Sequence, residues 1–476
     1  MKHHLYMNGQ WKEAPRYTPL YSPYSGELVA EVGQAGEAET EEAIRAAEAA
    51  APVMAAMPAH ERAAILDRVV AILERRQEEL MRILALEAAK PVKTGRGEIM
   101  RTIQTYKFAA MEARRIHGET VPLDAAPGGE GRIAFTMRRP IGVVGAITPF
   151  NFPFNLVAHK VGPAIAAGNT VVLKPAGQTP LSSLVLGDIF AEAGLPAGAL
   201  NIIPGPGAVV GEKLVRDSRV KAITFTGSPA VGIAMRNKAG LKRMTLELGS
   251  NSALVLDRTC DITPELIQRC VLGAFSFSGQ VCISIQRILV HEEKAEAFVQ
   301  QFKAQTEKLV VGDPLDEATD VSALISEKEV RRMEEWVGSA VAQGAVVVTG
   351  GKAVHPRLYP PTILTGVPTT EPVSCQEVFG PIVTVGSFST LDEAIREVNN
   401  SRYGLQAGIY TNDIHAAMQA AVEMDVGGVM INDFPTFRVD NMPYGGVKES
   451  GFGREGIKYA VEEMTELKLI SIKLKP

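Results

Sequence analysis

From residue 141 onward the chain alternates short β-rich runs with segments of helical length, and few architectures accept that rhythm. The runs "IGVVGAI", "NTVVLK", "ALNII" and "KAITF" are apolar on both faces, so each needs cover on both sides. Helices wound over both faces of a parallel sheet supply that cover. After residue 250 a second alternating set follows: "SALVLD", "QRILVH", "AVVVTG", "PIVTVGSF", "AGIYT" and "GGVMIND". At 476 residues the chain is too long for one core. The reading is therefore α/β, with two doubly wound domains joined near Glu247–Ser250.

Residues 38–116 read as helical, with apolar residues at three- and four-residue steps, and "KPV" ends the second helix. Two pieces fit neither domain. "GETVPLDAAPGGEGRIAFTMRRP" reads as a polar, Gly-rich hairpin with one β-rich arm, and "TELKLISIKLKP" as a terminal strand. A lone edge strand needs a partner, so both pieces are expected to pair across a subunit interface.

Composition narrows the function. Net charge is −5 with no basic stripe, which argues against nucleic acid. No run approaches the roughly 18 apolar residues of a spanning helix, and the N-terminus has no signal-peptide core. Cysteines 260, 270, 282 and 375 show no metal-ligand spacing and no disulfide framework. The expectation is a cytoplasmic protein with reduced thiols and no metal.

Four stretches bear chemistry. In "AFSFSGQVCISIQRILV", Cys282 precedes an apolar run. It is either a small core residue or a nucleophile. A free thiol with a pKa near 8.5 needs an activating neighbour to serve as one. By contrast, Cys260 sits in a loop and Cys270 on a helix as core. In "ITPFNFPFN" two prolines flank Asn151, which either caps a turn or aims its amide at a developing oxyanion. In "MTLELGSNSA", Glu247 ends a β-like run; it is either solvated or paired, or a general base in a partly apolar site. "KAITFTGSPAVGIAM" reads as strand, turn and helix, with Ser228 at the N-cap and Pro229 in the first turn. Such a helix start binds phosphate or is simply a capped end. "PGPGAVVG" at 204–211 lacks the Gly-x-Gly-x-x-Gly spacing of a dinucleotide fingerprint.

Taken together, "TPFNFPFN", "VVLKPAGQTP", "FTGSPAVG", "LELGSN", "FSGQVC", "QEVFGPIV" and "PYGGVKESGFGREG" resemble the aldehyde dehydrogenase superfamily, in the family's order and over essentially the whole chain. The wording is most similar to the branch of lactaldehyde, non-phosphorylating glyceraldehyde-3-phosphate and phosphonoacetaldehyde dehydrogenases. The resemblance implies a cofactor-binding domain at 1–120 and 140–248, a catalytic domain at 249–445, and an oligomerisation β-unit at 121–139 and 460–476. It implies a homodimer or homotetramer. It also assigns roles. Cys282 is the nucleophile, Asn151 an oxyanion donor with the Cys282 backbone N–H, and Glu247 the base that activates water. For NAD or NADP, Lys174 reaches the adenosine ribose, Ser228 the pyrophosphate and Glu377 the nicotinamide ribose. Phe379 packs beside Glu377, and Thr148, Pro149, Gly227 and Gly232 line the same groove.

Departures from the family pattern refine this. Many NAD-preferring members carry a glutamate where this chain has Gly177, so NADP is expected to be accepted. "ELGGK" appears as "ELGSN", and Val281 rather than arginine precedes the nucleophile. Arg101, His159 and Arg438 are either surface and packing charges or an anion-binding cluster, since Arg forks suit carboxylate, phosphate or phosphonate. The expected reaction is therefore NAD(P)-dependent oxidation of a small polar aldehyde, with an anionic group if the cluster forms. Two alternatives remain. A coenzyme-A-acylating enzyme is disfavoured because Glu247 is present, and a non-redox thiol hydrolase requires a histidine beside Cys282. A non-enzymatic structural protein on the same fold is disfavoured by the joint presence of Cys282, Glu247 and Asn151.

Overall fold

The runs that read as apolar on both faces are the parallel strands of two large sheets. In the computed structural model, which describes residues 1–474, Val143–Ile147 and Thr170–Lys174 are buried at every position. The first sheet has eight strands. Its parallel centre runs Arg243–Glu247, Val220–Thr226, Val143–Ile147, Thr170–Lys174, Leu200–Ile202. Antiparallel strands extend it at both ends: Gly451–Phe452 beside Arg243–Glu247, and Leu5–Met7 with Gln10–Lys12 beyond Leu200–Ile202. Helix Asn155–Ala166 is buried along its whole length, because it lies between this sheet and helices Ala59–Arg75 and Val92–Ala113.

The second sheet has seven strands. Its parallel order is Thr362–Thr365, Ile382–Phe388, Arg287–His291, Ala253–Leu256, Gln406–Tyr410, Gly428–Ile431, with Val346–Thr349 antiparallel at one edge. Helices Pro264–Phe275, Glu292–Thr306, Leu391–Asn399 and Ile414–Glu423 pack on it. Local chemistry sets their starts: the Thr263 and Thr390 hydroxyls accept from Leu266 N and Glu393 N, and Asp413 accepts from His415 N.

The two pieces outside both sheets pair with each other. Arg132–Pro140 and Thr465–Lys473 form an antiparallel ribbon over their full length. The first partner of each strand therefore lies in the same chain. The turn before Arg132 depends on Gly129, where a Cβ would fall 1.8 Å from Leu123 O. The expected β-unit runs to residue 476, and residues 475 and 476 lie outside the described residues. Among the described residues no helix is long and apolar enough to cross a membrane, and no His, Cys, Asp and Glu cluster could hold a metal ion.

Candidate active site

In a parallel sheet the strand ends that carry carbonyls gather on one edge, and ligands bind beyond that edge. Register places Ile147 opposite Lys174 and Phe225, and Thr226 opposite Glu247. Thr148, Pro149, Lys174, Gly227, Ser228 and Glu247 therefore all sit at or just past one edge of the first sheet. The link 248–252 leads directly into Ala253–Leu256 of the second sheet.

Cys282 lies in the turn between helix Pro264–Phe275 and strand Arg287–His291. The approach to it is strained: Phe277 and Ser278 hold φ of 48° and 54° although neither is glycine. Buried contacts over-determine that segment. Ser278 Oγ donates to Ser322 O at 2.9 Å, and Gln280 Oε1 accepts from Ile325 N at 3.0 Å. At Gly279 (φ 68°) a Cβ would come 2.1 Å from Gly380 O, so no other residue fits.

Asn151 is buried, and its Nδ2 donates one hydrogen to Gln280 O at 3.0 Å, two residues before Cys282. The second Nδ2 hydrogen remains for another acceptor. Lys90 fixes the loop from below: it is fully buried, pairs with Glu98, and donates to Asn151 O at 2.6 Å. Glu98 Oε1 in turn accepts from Phe154 N and Asn155 N, at the start of helix Asn155–Ala166.

Glu247 is neither solvated nor paired. It is buried, and among the described residues both of its oxygens lack a hydrogen-bond partner. Its Oε1 lies 3.0 Å from where a Cβ on Gly445 would stand. The neighbouring residue, Tyr444, brings its hydroxyl to 3.0 Å from Cys282 Sγ. The stretch 444–445 therefore touches both Glu247 and Cys282. The structure thus brings Asn151, Cys282 and Glu247 to one place.

The electrostatics follow from burial. Burial, then the Glu455 carboxylate, push Glu247 well above the usual carboxylate range, against Arg438, Lys160 and Arg454. Burial also opposes the charge of Glu455, but Lys160, then Arg438, hold it at about 2. Two adjacent carboxyls are thereby driven apart, one towards neutral and one charged. Burial pushes the Cys282 thiol up to about 11; Tyr444 and Arg438 pull it down, and Glu377 and Glu247 push it up.

The three candidate substrate residues divide. Asp440 gathers Arg101 (2.7 Å), His159 Nε2 (2.9 Å) and Asn155 Nδ2 (3.2 Å). Burial, then Arg438, push His159 below its ordinary value, so the neutral ring donates to Asp440. His159 stands in the second turn of a helix that begins four residues after Asn151. The Arg438 side chain is buried. Its guanidinium stacks 3.6 Å from the Tyr444 ring centre and donates to Glu455 at 3.0 Å, and its Nε has no partner among the described residues. Glu455 also takes Lys160 at 2.7 Å.

The residues expected to hold the cofactor fit a dinucleotide. Glu377 accepts from Ser250 N with one oxygen, and burial raises its pKa to about 7. Its other oxygen approaches Gly249 so closely that a Cβ there would lie at 2.9 Å. Phe379, held at φ 48°, meets Phe150 edge to face at 5.7 Å. Among the described residues Lys174 Nζ donates only to Pro175 O. Ser228 occupies the N-cap of helix Pro229–Arg236 as expected, but its hydroxyl makes no cap bond and remains available. At Gly232 a Cβ would fall 2.5 Å from Leu248, so glycine lets that helix start sit close to the strand edge. Gly177 is exposed, with nothing within 4 Å of an added Cβ. The Gly-rich segment 204–211 forms a helical turn from Gly207 to Gly211 and packs by Ala35 N onto Pro204 O.

Sequence reasoning missed Tyr444, Glu455, Lys160, Asp440, Lys90 and Glu98. Tyr444 and Glu455 lie inside a quoted motif, but only tertiary contacts reveal their parts.

Comparison with known proteins places these features in context. Residues 11–470 match the sequence model of the Aldehyde dehydrogenase family. The chain is 48% identical over 472 residues to the 3-sulfolactaldehyde dehydrogenase of Priestia aryabhattai, covering 99% of this chain and 98% of that one. Aldehyde dehydrogenase 21 from Physcomitrella patens, solved with the reaction product succinate, superposes with a TM-score of 0.97 at 41% identity, covering 99% and 98%. The glyceraldehyde-3-phosphate dehydrogenase GapN from Methanocaldococcus jannaschii, solved with NADP, gives 0.93 at 40% identity, covering 96% and 100%.

Proposed function

The chain belongs to the aldehyde dehydrogenase family, and from that premise we propose that it oxidises a short polar aldehyde bearing one anionic group, of the 3-sulfolactaldehyde type, with NADP or NAD. The observation that carries this is the meeting of Asn151, Cys282 and Glu247 beside a guanidinium with a spare donor. Around the site three cations, Arg101, Lys160 and Arg438, face two carboxylates, Asp440 and Glu455. Cations outnumber charged carboxylates around the site, and the unpartnered Arg438 Nε offers an anion a direction. That balance favours an aldehyde bearing an anionic group.

The chemistry follows from the side chains. Cys282 thiolate attacks the carbonyl carbon, and the new oxyanion takes the second Asn151 Nδ2 hydrogen and the Cys282 backbone N–H. Lys174, Ser228 and Glu377 hold the nicotinamide cofactor, which when bound supplies the hydride acceptor. The carbon on Cys282 is then a thioester. Glu247, with two vacant oxygens in a site of low polarity, takes a proton from water. The hydroxide adds to the acyl carbon, Cys282 leaves as thiolate, and the carboxylic acid is released.

In this reading 1–120 and 140–248 hold the cofactor, 249–445 carry Cys282, and 121–139 with 460–476 join subunits of a homodimer or homotetramer. Exposed Ile133, Phe135, Leu467 and Leu469 on the ribbon support the last assignment. Four free cysteines support a cytoplasmic location.

The test is a panel of aldehydes assayed at 340 nm with both cofactors: sulfolactaldehyde, lactaldehyde, succinic semialdehyde, glyceraldehyde 3-phosphate and phosphonoacetaldehyde. The sulfonate or carboxylate substrates are expected to give the highest kcat/KM, and Arg438→Met to lower it for every aldehyde but about 100-fold more for these than for lactaldehyde. Equal losses on neutral and anionic aldehydes would refute the charge argument.

A further inference from the structure

Tyr444 stands where three independent features meet. Its hydroxyl lies 3.0 Å from Cys282 Sγ, although the two residues are 162 positions apart. The guanidinium of Arg438 covers its ring at 3.6 Å. Its backbone is pinned on both sides to Glu455, with Tyr444 N donating to Glu455 O at 3.0 Å and Glu455 N to Tyr444 O at 2.7 Å. Both tyrosine and arginine are almost wholly buried, so this arrangement has little freedom. The next residue, Gly445 (φ 158°), could not carry a Cβ without crowding Glu247 and Arg454.

We propose that Tyr444 is a further catalytic residue, whose phenol donates a hydrogen bond to the Cys282 thiolate, favours that charged form over the thiol and aims the sulfur before attack. The proposal rests on the reading of Cys282 as nucleophile. The direction of the bond follows from chemistry. Burial, then the charge of Cys282, push Tyr444 well above the ordinary phenol range, so its proton stays on oxygen. The stacked Arg438 cation draws electron density from the ring and makes that O–H a stronger donor. A thiolate accepts such a bond far better than a thiol does. The other charged groups facing the sulfur are Glu247, from the first sheet, and Glu377, from the loop after Pro372–Cys375; both oppose its ionisation. Arg438 and Tyr444 are therefore the two groups that favour it. As the thioester forms, the sulfur loses its charge and the bond weakens. When the acid leaves, the bond is restored and favours thiolate as the leaving group.

The test is Tyr444→Phe, which removes one oxygen and keeps the ring under Arg438. Alkylation of the Cys282 peptide by iodoacetamide, followed by mass spectrometry across pH, reads the thiolate directly. Cys282 is only partly covered, so the reagent reaches it. The variant is expected to titrate about one pH unit higher, with roughly tenfold slower alkylation at neutral pH. The acid limb of its kcat/KM profile should move by the same amount, which a merely structural loss would not produce. An alkylation profile unchanged or shifted to lower pH overturns the proposal. Cys282→Ser separates the two ideas: if that variant turns over normally, the nucleophile reading fails, whereas an unmoved Y444F profile with an inert C282S defeats only the role of Tyr444.

Discussion

Replacing Lys90 by methionine tests whether the oxyanion loop is held by a buried ion pair. Lys90 has no solvent exposure, pairs with Glu98, and lies 3.9 Å and 4.3 Å from the centres of the Phe152 and Phe277 rings. Burial lowers its pKa, and the neighbouring Glu98 opposes that loss of charge. Lys90→Met keeps the volume but leaves Glu98 buried and unpaired, which costs about 3–5 kcal/mol. Glu98→Gln added to it removes the second charge, and most of that loss should return, leaving about 1–2 kcal/mol. Catalysis behaves differently. Both variants lose the bond from Lys90 to Asn151 O, so the amide is less well aimed. One oxyanion donor is worth roughly 3–4 kcal/mol, and loosening it should forfeit about half, roughly a 10- to 30-fold fall in kcat. Urea unfolding followed by circular dichroism gives the first quantity, and steady-state kinetics at 340 nm the second. A loss below about 1 kcal/mol for Lys90→Met, or full recovery of kcat in the double variant, would refute the reasoning.

Gly177→Glu has open space for its side chain, and its carboxylate should repel a 2′-phosphate beside Lys174; kcat/KM for NADP should fall at least about 10-fold relative to NAD. A parent enzyme already preferring NAD by about 100-fold would contradict the role given to Gly177. Glu247→Gln should leave the first burst of cofactor reduction intact and slow steady turnover about 100- to 10,000-fold. Because the Glu247 pKa is raised, the base is present only above that raised value; deacylation in the parent should fall as pH drops through it, and the variant should lack that limb.

The sequence exposes the elements whose signal is local. Strands such as Val143–Ile147 are buried on both faces and read as unbroken apolar runs. Thr362–Thr365 escaped notice because four residues between a proline and a glycine carry no period. The short strands at Leu5–Met7 and Gln10–Lys12 were missed because only the first is buried, and both depend on the sheet edge they complete. The site shows the same division. Asn151, Cys282 and Glu247 stand beside prolines and glycines that mark fixed backbone, but each keeps an ordinary reading there, and only the family resemblance assigns their roles. Lys160 and Glu455 are 295 residues apart, and Arg101 and Asp440 339 apart. Nothing local marks a lysine as buried; the carboxylate that permits its burial comes from another part of the chain. The ion pairs around the candidate site are thus tertiary facts.

The central claim is that the substrate becomes covalently attached to Cys282 and is released by water that Glu247 activates. Glu247→Gln, mixed with aldehyde and cofactor and quenched in acid, should yield a Cys282 peptide heavier by the acyl group, detected by mass spectrometry. Cofactor reduction without any such adduct, or an adduct on Cys260, Cys270 or Cys375 instead, would contradict the account.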